Sequence, residues 1–91
     1  MEPFYIELRF SGNETYRLLV TLKYQNESIE RFEVRAKNHT FLIDCNRPAM
    51  AKQGLQHLQW EWKLVAGQCP GWIFKEITNE IRRTITWINR H

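Results

Sequence analysis

The fold of this chain is decided by residues 72–90, whose sequence is WIFKEITNEIRRTITWINR. Apolar side chains recur there at spacings of three and four residues, and at about 100° per residue they fall within an arc of roughly 120°. Charged and amide side chains fill the opposite side of the wheel. The members of the apolar stripe are Ile73, Phe74, Ile77, Ile81, Thr84, Ile85 and Ile88. The pattern predicts one amphipathic helix over about residues 72–90 that must bury a single face.

Upstream of this helix, apolar and polar residues alternate at a period of two, which is typical of strands with one buried face. Short turns rich in Asn, Gly and Ser separate the segments, and such connections indicate antiparallel neighbours. The predicted strands span about residues 3–10, 15–24, 29–36, 39–45 and 57–65. On the second strand, the alternation places Tyr24 on the buried side together with Leu18, Val20 and Leu22.

After the fourth strand, Pro48 stops the ladder because proline has no amide hydrogen to donate. Asn46 could cap a helical turn from Pro48 to Gln53 that closes at Gly54, and a plain loop is the alternative. Five strands with one apolar face each need a cover, and the C-terminal helix is the only candidate. We therefore predict a single α+β domain over residues 1–91, in which about five antiparallel strands form a mostly meander sheet and the amphipathic helix packs across one face.

The composition is that of an ordinary globular protein, with 43% hydrophobic residues, 25% charged residues and a net charge of +3. No apolar run approaches the ~18 residues of a membrane span, and the N-terminus lacks the pattern of a signal peptide. We therefore expect a cytoplasmic protein without membrane contact. In that compartment Cys45 and Cys69 would stay reduced.

Residues able to carry chemistry are sparse. Cys45 with His39 or His57 could form a thiolate–imidazole pair, but Cys45 follows Phe41 and Ile43 on the apolar side of its strand. A free cysteine in that position usually acts as a small hydrophobe. His and Cys never occur at the close spacings of a zinc site, and the glycines form no phosphate-binding motif. We predict no catalytic, metal or cofactor site, and a small Cys-dependent enzyme is the least favoured function class.

The side of the sheet away from the helix is predicted to mix Arg, Tyr and isolated aliphatic residues, a composition more typical of an interface than of an inert surface. The candidate interface residues are Tyr5, Arg9, Arg17, Leu19, Arg31 and Arg35. Antiparallel sheets also leave such polar faces in water. An exposed edge strand could pair with its equivalent in a second copy and give a homodimer. The favoured function is a binding or assembly module that uses this face or edge to contact protein.

Nucleic-acid binding is the alternative, because phosphate contacts need several cations on one surface and the second half of the chain is the more basic one. The candidate contacts are Arg47, Lys52, Arg82, Arg83 and Arg90. An ordinary solvated helix face accounts for the arginines near the C-terminus equally well. No RNA-recognition or helix-turn-helix signature accompanies them.

One block of the sequence resembles short uncharacterised bacterial proteins that have a strand-rich N-terminal part and a terminal helix. The block consists of Asn46-Arg47-Pro48, then Lys52-x-Gly54-Leu55, then Trp62-Lys63. The resemblance spans roughly half of the chain. It implies a small bacterial domain of unknown role, and no functional residue carries over from it.

Overall fold

The computed structural model describes residues 1–10, 12–55 and 60–90. Its elements are β1 (Phe4–Phe10), β2 (Glu14–Gln25), β3 (Glu30–Arg35), β4 (Thr40–Cys45), α1 (Arg47–Lys52), β5 (Trp62–Ala66) and α2 (Gly71–Arg90). The strands form one antiparallel sheet in the order β1-β2-β3-β4-β5, so each strand lies beside its neighbours in sequence. The predicted α+β fold, a meander sheet with a C-terminal helix against it, is confirmed.

The core lies between one face of the sheet and the apolar stripe of α2. Directly opposite residues of neighbouring strands share a face, and the register sets Ile6 opposite Leu18 and Phe32 opposite Ile43. The buried hydrophobic residues are Ile6, Leu8, Leu18, Val20, Phe32, Val34, Phe41, Ile43, Cys45, Ile77, Ile81 and Ile85. The three members from α2 are at most 1% exposed, whereas Ile88 is 38% exposed. Burial of the predicted stripe therefore fades towards the C-terminal end of the helix.

A bulge in β2 overturns the predicted position of Tyr24. Leu22 lies opposite Phe32, and Tyr24 lies opposite Arg31, the neighbour of Phe32 on β3. Lys23 is therefore an extra residue of β2 with no opposite residue in the ladder. An inserted residue reverses the alternation of everything after it. Tyr24 therefore lies on the side of the sheet away from α2, where it is 50% exposed and its ring centroid is 6.0 Å from the Arg31 guanidinium carbon.

The segment after β4 forms the short helix α1, the first of the two alternatives. Asn46 precedes this helix without capping it, since its Oδ1 accepts a hydrogen bond of 2.8 Å from the backbone N–H of Glu61. Gly54 has a φ of +73°, and the amides of Gly54 and Leu55 donate back to carbonyls of the last turn. This is a Schellman ending, which needs a positive φ at the glycine. The segment after β4 thus ends α1 in a defined turn. Through Asn46 it is also hydrogen-bonded to the chain just before β5.

The start of β5 differs from the predicted one in a way that bears on the surface. β5 begins at Trp62, whereas the predicted strand covered residues 57–65; residues 57–59 lie outside the described part, and Trp60 and Glu61 precede the ladder. The pairing of β5 with β4 is irregular between Leu42 and Ile43. The last strand is therefore short and its ladder is broken. In the described ranges, neither helix combines the length and apolar character needed to cross a membrane.

Candidate protein-binding face and edge

The register places all six predicted interface residues on the open face, which is the side of the sheet turned away from α2. Tyr5 lies opposite Leu19 and Leu19 opposite Arg35, so these three side chains form one row across β1, β2 and β3. Arg31 lies opposite Asp44 on the same face. The remaining two candidates, Arg9 and Arg17, lie on β1 and β2 near the row. The predicted surface exists as a continuous face, and its role in binding stays a prediction.

Two arginines of the open face form ion pairs with acidic residues of the sheet. Arg31 forms a bidentate ion pair with Asp44, with Nε–Oδ1 and Nη2–Oδ2 distances of 2.7 and 3.0 Å. Arg35 donates to Glu33 at 3.2 Å. The first pair joins β3 to β4 and the second lies within β3, so in the middle of the open face these arginines already have acidic partners. Such a face is stable in water without a binding partner.

The β1 side of the open face differs, because its charges lack ion pairs. Glu7 lies opposite Arg17 in the ladder, but the Arg17 guanidinium carbon lies 4.0 Å from the ring centroid of Tyr5 in a cation–π contact. Within the described residues, neither the Glu7 carboxylate nor the Arg9 guanidinium makes an ion pair. β1 therefore presents an acid and a base, two residues apart, neither of which forms an ion pair with a described residue.

The two edges of the sheet are protected to different degrees. β5 has five residues, carries Lys63 and has an irregular ladder with β4, which are three of the devices that keep an edge strand from pairing with another chain. β1 has seven residues in unbroken register with β2, and contains neither lysine nor proline. β1 lacks these three devices, so we call it the open edge; on its helix side, Ile6 and Leu8 are already buried and α2 packs closer to β1 than to the other strands.

An apolar groove of about 420 Å³ lies at one end of the sheet, where the first turn of α2 meets the ends of β1 and β2 and the turn between β3 and β4. The Phe10 ring centroid is 5.3 Å from those of Tyr16 and Trp72, and the Trp72 contact is edge-on. Trp72 is 62% exposed and Tyr16 is 48% exposed. Tyr16 donates a hydrogen bond of 2.9 Å to Glu14, and this bond raises the pKa of the Tyr16 hydroxyl. Aromatic surface is therefore concentrated beside the last residue of β1.

Arg47, a predicted nucleic-acid contact, is committed to the protein interior. Its Nε and Nη2 atoms each lie 2.6 Å from an oxygen of Glu30, whose side chain is only 1% exposed. The hydrogen bonds to Glu30 raise the pKa of Arg47. A buried carboxylate needs a cation, so this guanidinium is a structural partner of β3. The sequence did contain a signal, since Glu30 alternates with Phe32 and Val34 on the apolar side.

The other predicted nucleic-acid contacts do not share a common environment. They are Lys52, Arg82, Arg83 and Arg90. Lys52 contacts Glu27 at 3.0 Å and Arg83 contacts Glu80 at 2.6 Å, so both have an acidic neighbour. Arg82 is half-buried and makes no ion pair with a described residue, and the side chain of Arg90 lies outside the described part. A nucleic-acid interface stays a prediction.

Cys45 has the properties of a core residue. It is 0% exposed and lies opposite Glu30 and Trp62 in the ladders. Burial raises the pKa of its thiol from 9.0 to about 12, so the nucleophilic thiolate is scarce at neutral pH. His39 is exposed, and His57 lies outside the described residues. In the ranges that the structure describes, no cluster of three or more His, Cys, Asp or Glu residues could hold a metal.

Comparison with known proteins gives no relative on which to base a function. No family model, curated protein or solved structure matches this chain. The resemblance to short bacterial proteins stays a prediction, as does the absence of an enzymatic activity.

Proposed function

We propose that this protein is a small cytoplasmic binding and assembly module that contacts protein through the β1 edge and the adjoining strip of the open face. The single observation that carries the proposal is the difference between the two edges. β5 has the features that prevent strand addition, whereas the outer side of β1 is regular over seven residues and pairs with no other described strand. In a protein that only had to remain monomeric, we would expect the same protection at both edge strands of the sheet.

The side chains around β1 support recognition as well as pairing. Tyr5 and Arg17 stack beside the edge and present an aromatic ring and a guanidinium, two groups enriched at interface hot spots. Glu7 and Arg9 offer charges without internal ion pairs, so a partner strand can supply the opposite sign. Phe10 and Trp72 add apolar surface on the other side of the same strand.

The proposal can be tested by affinity capture from nuclease-treated native lysate. The wild-type chain is compared with a variant whose β1 edge is blocked by substitution. The double variant Tyr5→Lys/Glu7→Lys gives β1 the lysines that protect natural edge strands, so it should lose most of the nuclease-resistant protein that the wild-type chain captures. Val65→Lys is the matched control, because Val65 is 41% exposed on β5. It should capture as much as the wild type. Equal capture by the lysine-edged β1 variant would contradict the proposal.

Nucleic-acid binding is the second candidate, and its test is salt dependence. If Lys52, Arg82, Arg83 and Arg90 contact phosphates, affinity for single- or double-stranded nucleic acid should fall steeply as salt rises. The ion pairs of Lys52 and Arg83 weigh against this candidate. Binding that does not change with salt would exclude it.

A further inference from the structure

We propose that the partner of β1 is a second copy of this chain, paired antiparallel so that Glu7 of each copy lies opposite Arg9 of the other. The inference rests on the proposed function, because it names the occupant of the same edge. It adds a register and a symmetry, and both can be tested separately from partner binding in general.

Charge complementarity carries the choice of a second copy. On the open face, β1 carries Tyr5, Glu7 and Arg9. When a second copy of the strand runs antiparallel to the first, the acid of each strand can lie opposite the base of the other, so the charge pattern is self-complementary. An antiparallel pair centred on Leu8 sets Glu7 opposite the partner's Arg9 and, by the two-fold axis, Arg9 opposite the partner's Glu7. Opposite charges at directly facing positions stabilise a strand pair. Each copy thus supplies ion-pair partners for Glu7 and Arg9 of the other copy.

The neighbouring registers do not satisfy these charges. A pair centred on Glu7 sets the two Glu7 carboxylates directly opposite each other, which is destabilising. A pair centred on Ile6 sets Arg9 opposite the partner's Pro3 and leaves its charge without an acid. Registers that mix odd and even positions would place apolar residues of one copy beside charged residues of the other. Of these registers, the Leu8-centred one sets Glu7 of each copy opposite Arg9 of the other and so forms two ion pairs across the dimer.

The helix side of the strand fits the same register. Leu8 then lies opposite the partner's Leu8, and Ile6 lies opposite the partner's Phe10, so the apolar row continues from one copy into the next. Phe10 is half-buried in the single chain and supports the exposed ring of Trp72. A partner strand arriving about 5 Å away would cover the outer side of Phe10. Because Ile6 and Leu8 are already only 3% and 4% exposed, the added apolar burial comes mainly from Phe10, and the charge pairs carry the association.

Charge reversal tests the register directly. We expect the wild-type chain to reach a dimer in sedimentation equilibrium over a concentration series. Glu7→Arg and Arg9→Glu should each raise the dissociation constant by about tenfold or more, because two attractive pairs become two repulsive ones. The double variant Glu7→Arg/Arg9→Glu restores both pairs and should return to the wild-type constant. Thermal melts check that each variant folds, as expected for exposed side chains.

An equimolar mixture of the two single variants provides the most specific readout. A Glu7→Arg chain presents two cations and an Arg9→Glu chain presents two anions, so the mixture should form a heterodimer, which native mass spectrometry resolves with tags of different mass. Lys37→Glu is the matched control, since Lys37 is an exposed cation in the turn between β3 and β4, away from β1. It should leave the dimer unchanged.

Three results overturn the inference. The first is a wild-type chain that stays monomeric at every concentration; if lysine-sensitive capture from lysate persists, the proposed function stands and only the second copy falls. The second is dimerisation that neither single reversal weakens. The third is a mixture of single variants that fails to associate while the wild-type chain dimerises, because that excludes the Leu8-centred register.

Discussion

Glu30 occupies a position of β3 that alternates with Phe32 and Val34, so its carboxylate faces the core. Arg47, the first residue of α1, meets it with two short hydrogen bonds. Part of this pair could be predicted, because an acid at an apolar position of a strand requires a cation. The identity of the cation could not, since α1 and β3 meet only through the tertiary fold. Residue-level pairing is where sequence patterns stop being informative.

Replacing one partner of the Glu30–Arg47 pair should lower the free energy of unfolding strongly, whereas replacing both partners by apolar residues should not. Arg47→Met leaves a buried carboxylate unpaired and should lower the free energy of unfolding by about 3–5 kcal/mol. The double variant Glu30→Leu/Arg47→Met should recover most of that loss, because no buried charge remains. Urea denaturation measures both. Arg83→Met, which removes an exposed pair with Glu80, should change stability by less than about 1 kcal/mol; an equal loss there would show that the buried pair is not special.

Cys45 should make stability fall in alkali. Its thiol titrates near pH 9.0 in the unfolded chain and near pH 12 in the fold, so between these values the unfolded state binds fewer protons. Stability from this group is complete below about pH 9 and declines as the pH rises towards 12, by up to about 1.4 kcal/mol per pH unit. In denaturant titrations at several pH values, Cys45→Ala should show a shallower decline than the wild type. Cys69→Ala, at a half-buried position, should keep most of the slope.

At the scale of elements, local patterns predicted the meander and its cover. Alternation and short turns determine antiparallel neighbours locally, and the α2 stripe needs only a spacing of three and four residues. The bulge at Lys23 was missed because an extra residue leaves the alternation on either side looking normal. The late start of β5 was missed because Trp60 continues the alternating pattern without pairing. Ladder defects depend on the neighbouring strand, which the sequence of one strand does not specify.

The α2 stripe should show a gradient of importance along the helix. Ile81 is 0% exposed, so Ile81→Ala leaves a cavity and should lower the free energy of unfolding by about 2–5 kcal/mol in chemical denaturation. Ile88 is 38% exposed, and Ile88→Ala should have a much smaller effect. Retained stability in Ile81→Ala would refute the packing of α2 as the cover of the sheet.

At the scale of the whole molecule, the sheet has one covered face, one open face, one protected edge and one open edge. The sequence predicted the two faces, because they follow from alternation. It could not say which edge is open, since that depends on strand order and on the ladder defects of β5. The candidate interface residues lie on the predicted face, but two of their four charges, those of Arg31 and Arg35, are paired within the sheet, which moves the proposed site towards β1.

A second copy bound through β1 should make thermal stability depend on protein concentration. Association that favours the folded chain raises the Tm as concentration increases. Differential scanning calorimetry over a concentration series should therefore show a rising Tm for the wild type. Glu7→Arg should give a Tm that is nearly constant over the same range, and a constant Tm for both chains would count against association.

The unequal edges also limit how far association can proceed. A chain with two open edges could add copies at both ends and polymerise into a fibre, whereas the described strands of this chain leave only one open edge. Once two β1 strands have paired, the ten-stranded sheet ends in a β5 strand on each side, and both ends resist further addition. The assembly is self-limiting: light scattering at rising concentration should level off at two copies, and the edge that permits binding is used up by the first partner.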